Sequence, residues 1–129
     1  MNLDVIIDQK TFSYRDLQGR DIWQSFTPIF GSLTVVGATS YLGRYRIVGK
    51  QLQGQVVFSA ATSIASSAGT DYLTLPIDSQ GYTGFGIMSN DTTNVSVGLC
   101  HLDVTNSRLY LPSQSASGNT FNLYFEYEV

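Results

Sequence analysis

Two carboxylates, Glu126 and Glu128, stand two residues apart near the end of the chain. On a β-strand that spacing puts both on one face, about 7 Å apart. Glycoside hydrolysis needs a carboxylate pair roughly 5–10 Å apart across a cleft. The chain holds only 10 acids, and most of them sit near the N-terminus or in turn-like segments. The pair therefore reads as the solvated outer face of a strand. His101 and Asp103 repeat the two-residue spacing, and serine is plentiful. A triad also needs an oriented nucleophile, and the Gly-x-Ser-x-Gly elbow is missing. His101 reads as a partly buried structural histidine. One Cys and one His cannot supply the ligands of a zinc site. Gly81-Tyr82-Thr83-Gly84-Phe85-Gly86 is glycine-rich, yet it lacks the lysine and following helix of a phosphate loop. It reads as a bulge or turn. The expectation is a protein without catalysis, metal or cofactor.

A different chemistry is written at Arg44 and Arg46, followed by Gln51, Gln53 and Gln55. These are planar hydrogen-bonding groups at alternate positions. One reading is an ordinary solvated sheet face. The other is a subunit interface or a glycan-facing surface, because guanidinium forks suit carboxylates, including those of acidic sugars.

The elements that must position these groups read as strands. Tyr41–Val48 and Gln51–Phe58 flank Gly49-Lys50. Glycine at the first central position marks a two-residue type II′ hairpin. That turn pairs Val48 with Gln51, Ile47 with Leu52, Arg46 with Gln53, Tyr45 with Gly54 and Arg44 with Gln55. Period-2 alternation then sorts the faces. Tyr41, Tyr45, Ile47, Leu52, Val56 and Phe58 share one side, and the arginines and glutamines share the other. Tyr45 opposite Gly54 is expected to lay its ring over the bare glycine. At the C-terminus Phe121, Leu123, Phe125, Tyr127 and Val129 alternate with Asn122, Tyr124, Glu126 and Glu128, as in a strand with one buried face. Further strands are expected at Leu33–Val36, Asp71–Leu75, Gly84–Ser89, Val95–Leu102 and Arg108–Leu111. No helical period extends over a useful length; residues 13–20 could make a short turn. About eight short strands between Gly-, Ser-, Thr-, Asn- and Pro-rich segments indicate an all-β, antiparallel β-sandwich, jelly-roll-like.

Composition bounds the function. A chain of 129 residues fits one domain that can bury a core without disulfides or metal. Charged residues are 13% of it, about half the ~25% usual in soluble domains. Its surface must be covered by neutral polar groups, which suits contact with a neighbour. The net charge of −3 offers no basic patch for nucleic acid. Cys100 is expected to be a small buried hydrophobe, as in proteins made in a reducing cytosol. The first residues, acidic and only briefly apolar, are neither a signal peptide nor a membrane span. Asp4, Asp8, Lys10, Arg15, Asp16, Arg20 and Asp21 crowd the N-terminal end beside Leu3, Val5, Ile7, Phe12, Tyr14 and Trp23. Residues 1–24 are read as an arm, with those apolar side chains as its contact groups, and 25–129 as the β-sandwich body.

The order of segments carries a resemblance. Leu33-Thr34-Val35-Val36-Gly37 precedes Tyr41-Leu42-Gly43-Arg44-Tyr45-Arg46-Ile47-Val48-Gly49. Thr62-Ser63-Ile64-Ala65-Ser66-Ser67-Ala68-Gly69-Thr70, Tyr72-Leu73-Thr74-Leu75-Pro76 and Tyr110-Leu111-Pro112 follow. Over residues 25–129 the chain resembles a bacteriophage virion domain found at tail-fibre tips and as short capsid decoration (cement) proteins. The resemblance implies a β-sandwich, often trimeric, located in the virion. A fibre needs a long shaft, and about 24 residues precede the body here. The expected role is therefore a capsid decoration protein that binds the outer shell as a homotrimer. Its partners would be its own copies and the major capsid or another virion protein. The alternative is a receptor-binding tip of a tail or head fibre that recognises host surface glycan. Neither role involves nucleic acid or membrane. The purified protein is expected to leave polysaccharide and peptidoglycan intact. Breakdown that disappears in Glu126→Gln or Asp103→Asn would overturn the non-enzymatic reading.

Overall fold

The computed structural model describes residues 22–36, 39–60, 62–81, 84–116 and 119–129. Their alternating sequences form strands and, among the described residues, no helix. Twelve strands follow in order: β1 (Gln24–Phe26), β2 (Phe30–Gly31), β3 (Thr34–Val36), β4 (Thr39–Val48), β5 (Gln51–Ala60), β6 (Ser63–Ser66), β7 (Tyr72–Thr74), β8 (Gly84–Asn90), β9 (Val95–Asp103), β10 (Arg108–Tyr110), β11 (Gln114–Ala116) and β12 (Thr120–Glu128). All pairings are antiparallel.

The hairpin β4–β5 has the register its turn dictates, from Val48 opposite Gln51 to Arg44 opposite Gln55, and it continues to Thr39 opposite Ala60. Gly49 holds φ at +65°, a value that a type II′ turn requires at its first central residue and that glycine adopts without strain. On β5 the even-numbered residues from Leu52 to Ala60 are buried and the odd-numbered ones are half-buried. β12 repeats this pattern from Thr120 to Glu128. These two strands pair along their whole length and form the middle of the molecule.

A nine-stranded sheet runs in the order β1-β4-β5-β12-β8-β9-β10-β7-β2, and a smaller one in the order β11-β6-β3. The large sheet curls until its far end meets its beginning. Phe30 of β2 lies with its ring 5.0 Å from Phe58 of β5 and 5.5 Å from Tyr41 of β4. The two layers of this sandwich-like fold come largely from the curl of one sheet. Its inner face carries the core: Leu52, Val56 and Phe58 face Phe121, Leu123, Phe125 and Tyr127 along the ladder, and Ile64, Leu73, Met88, Leu109 and Leu111 close over them. Tyr127 is fully buried but keeps its hydroxyl satisfied, donating to Ile77 O at 2.6 Å and accepting from Ile77 N at 3.2 Å. That clamp holds the loop after β7 against the end of the core.

Four short strands, β1, β2, β6 and β11, fall where the sequence gives no alternating run long enough to register. The ring over Gly54 is also not the expected one. Gly54 lies between Tyr45 on β4 and Phe125 on β12. A Cβ there would sit 2.2 Å from the Phe125 ring. Phe125 therefore covers the glycine, while Tyr45 leans toward Phe26 of β1, with ring centroids 5.9 Å apart. The strand expected at Gly84–Ser89 is present as β8, which takes in Gly84 and Gly86 of the glycine-rich segment, and a register shift lies further on, between Met88 and Ser89.

Gly54→Ala should destabilise the protein by about 2 kcal/mol, because the added methyl overpacks a filled core. Denaturant unfolding checks this, and a further replacement, Phe125→Leu, should recover part of the loss by clearing the space.

Candidate functional site

The outer face of the curled sheet gathers the residues singled out in the sequence. Alternation on β4, β5 and β12 puts Arg44, Arg46, Gln51, Gln53, Gln55, Asn122, Tyr124, Glu126 and Glu128 on this side. Two transverse rows can be followed through consecutive pairings. One runs Arg46, Gln53, Glu126, Phe85. The other runs Ser25, Arg44, Gln55, Tyr124, Ile87, Leu99.

The cationic end is built with care. Arg46 Nε donates to Gln53 Oε1 at 2.7 Å, and Arg44 Nε donates to Gln55 Oε1 at 2.9 Å. Each glutamine is the cross-strand neighbour of its arginine. Both guanidinium carbons also lie over the ring of Trp23, at 4.4 Å for Arg44 and 4.8 Å for Arg46. Such cation–π contacts contribute about 0.5–1 kcal/mol each at exposed sites. Two like charges are thus held close on one aromatic ring. Gln55 passes the network on, its Nε2 donating to Asn122 Oδ1 at 3.3 Å. Trp23, expected to project as an arm anchor, packs on the body beside β1, whose first residue is Gln24. Leu3, Val5, Ile7, Phe12 and Tyr14 lie outside the described residues.

At the centre of the face Tyr124 donates to Glu126 Oε2. Burial first, and then the Glu126 carboxylate it bonds to, push the Tyr124 hydroxyl up to about 12. Glu126 and Glu128 do share the face, as the spacing implies, but Glu126 is engaged by this hydroxyl. Gln51 ends the amide column with its Oε1 buried and without a hydrogen bond.

The other end of the face is apolar. Leu99 is 76% exposed, Phe85 47% and Ile87 45%. Ile87 and Leu99 are direct cross-strand neighbours. Nothing in the sequence pattern marks them, because a strand buried on one face should carry polar residues on the other.

His101 is exposed rather than partly buried, because the alternation that turns Cys100 inward turns its neighbour out. Its ring lies 6.5 Å from that of Tyr110. Asp103 accepts from Asn106 N at 3.2 Å and Nδ2 at 2.9 Å, and the Asn106 side chain is the main reason its carboxyl is held below the usual range. That carboxylate closes the turn between β9 and β10. Asn90 likewise closes the turn after β8, accepting from the backbone of Thr92 and Thr93. Among the described residues no three His, Cys, Asp or Glu cluster as metal ligands would. An open cavity of about 260 Å³ lies between the two ends of the sheet, where Ser25, Phe26 and Tyr45 face Thr74, Leu75 and Pro76. Compared with known proteins, the chain matches no family model, no curated protein and no solved structure.

Burial pushes the Cys100 thiol up to about 12 from 9.0, and Tyr124 rises to the same range. A group whose pKa is raised on folding contributes stability that is complete below its unfolded pKa and lost as pH rises toward the folded one. Stability should therefore hold up to about pH 9 and decline through pH 12. Unfolding curves across that range check this, and a thiol reagent at about pH 8 should label Cys100 only as the protein unfolds.

Proposed function

We propose that the protein is a non-enzymatic adhesive component of a bacteriophage particle, a capsid decoration protein that docks on the outer shell. The phage setting rests on the sequence resemblance over residues 25–129. The adhesive reading rests on the apolar strip of Phe85, Ile87 and Leu99 on the outer face of β8 and β9. Contiguous exposed apolar side chains rimmed by polar ones are characteristic of protein contact surfaces. This strip is rimmed by Tyr124, Glu126 and Ser89 on neighbouring positions. Side chains fixed on paired strands meet a partner without rearrangement, so little ordering entropy opposes docking. The acids that could suggest hydrolysis have local structural duties, Glu126 with Tyr124 and Asp103 with Asn106. The N-terminal segment would add a second grip, an extended arm that supplies alternate side chains to the shell.

Replacing Ile87 and Leu99 together by Ser should leave the fold intact, since both face outward. It should weaken binding to phage shells stripped of decoration by roughly 30-fold, given about 2 kcal/mol of lost apolar burial. Removing residues 2–20 leaves every described strand in place and should also reduce shell binding. Undiminished decoration by the double serine variant would refute the role of the strip.

A further inference from the structure

The outer face is charged in a self-complementary way. Its cations, Arg44 and Arg46, lie in a column on β4. Its acids, Glu126 and Glu128, lie in a column on β12. Between them runs a neutral column of Gln51, Gln53 and Gln55 on β5. Adjacent strands are about 4.8 Å apart, so the two charged columns are separated by roughly 10 Å. The arginines form no ion pair with any described acid, although Arg46 shares a row with Glu126 through Gln53. Their Nε atoms are occupied by Gln53 and Gln55, and Trp23 supports both guanidiniums. Two cations fixed in place near each other, with no ion pair to any described acid, are arranged to receive carboxylates from outside.

We propose that the occupant is a second copy of this chain, packed face to face about a two-fold axis that lies along the outer side of β5. Half a turn about that axis exchanges the flanking columns and leaves position along the strand unchanged. β4 of one copy then covers β12 of the other. Because Arg46 and Glu126 occupy the same row, Arg46 of each copy stands over Glu126 of the other, twice per interface. Arg44 stands over Tyr124, a ring able to receive a guanidinium. The glutamine column lies on the axis, where Gln53, its Oε1 held by Arg46, meets its own copy. An isologous contact demands this relation, in which residue i meets j and j meets i. The apolar strip used for shell adhesion lies on β8 and β9, the first and second strands beyond β12, and is left outside the pairing.

The curl makes the outer face convex, so contact is confined to the crest formed by β4, β5 and β12. Three strands of nine or ten residues bury about 900 Å² in total, in the class of weak, reversible contacts. Ion pairs at such a contact are screened by salt. The result is a pair that exchanges readily, with steering and register supplied by charge. It differs from the trimer that the sequence resemblance implies, and mass separates the two.

Sedimentation equilibrium of the full chain at about 100 µM and low ionic strength should give two chain masses, each 14.1 kDa, with dissociation favoured as salt rises. Arg46→Glu and Glu126→Arg should each raise the dissociation constant by at least about tenfold. Mixed in equal amounts, the two variants should pair with each other. In that mixture the introduced acid of one copy stands over the introduced base of the other, and the remaining native Arg46 stands over the remaining native Glu126. Recovery in the mixture also excludes misfolding as the cause of the single losses. A chain that stays monomeric, a mass of three chains, or a mixture that fails to recover would each overturn the pairing. So would a monomer that pairs only after residues 2–20 are removed, because its own N-terminal segment would then cover the face. A monomer whose Arg46→Glu form loses shell binding would assign the face to the shell, which also overturns the pairing. Loss of shell binding in the Ile87 and Leu99 serine variant tests the adhesive reading separately.

Discussion

The ladder between β5 and β12 is the constraint on which the rest depends. Nine consecutive pairs, from Thr120 opposite Ser59 to Glu128 opposite Gln51, hold two strands in one register. Each strand buries every second side chain. A slip of one residue by β12 would turn Phe121, Leu123, Phe125 and Tyr127 outward together while β5 kept its face, so the apolar core fixes the register between the two strands. The close approach of Phe125 to Gly54 pins it further. The ring fills the space a side chain would occupy, and no neighbouring register offers it a glycine. The ladder is also long-range, joining segments more than sixty residues apart, so it closes a large loop whose entropy cost only the finished core can offset.

Curl follows from that centre. The sheet extends on both sides of the ladder, and its two ends cannot both stay flat while the inner face is apolar. Phe30 at the far end packs against Phe58 at the middle, and the Tyr127 hydroxyl fastens the loop that follows β7. The inner face is thereby sealed and the outer face made convex. Polar side chains on that convex side would be free to wander in solvent. Here they are tied to one another, arginine to glutamine and glutamine to asparagine, and the two guanidiniums rest on Trp23. A surface poor in charge in this way holds its charges at defined positions.

Much of this was legible locally. Gly49-Lys50 sets the register of β4 and β5, because a two-residue turn leaves no freedom in which residues face each other. From it the shared face of Arg44, Arg46, Gln51, Gln53 and Gln55 follows without any long-range information. The C-terminal alternation gives the buried face of β12 in the same way. Strands of two to four residues, such as β2 and β6, carry no period to read. They exist because a neighbour supplies their hydrogen bonds, as Tyr72 and Leu73 do for Gly31 and Phe30. The exposure of His101 follows from the burial expected of Cys100, because alternation along β9 turns adjacent side chains to opposite faces.

The sequence by itself determined the all-β class, the central hairpin with its register, the faces of the two longest ladders and the row of arginines and glutamines. All of these rest on period-2 alternation and turn chemistry, which act between residues close along the chain. Only the tertiary structure decided that β12 lies between β5 and β8 and that Phe125, rather than Tyr45, fills the space at Gly54. It also decided that Trp23 supports both arginines, and that Phe85, Ile87 and Leu99 come together on the outside. Each of those is a choice of neighbour across a strand boundary. Alternation says which way a side chain points, and only the packed sheet says what it meets.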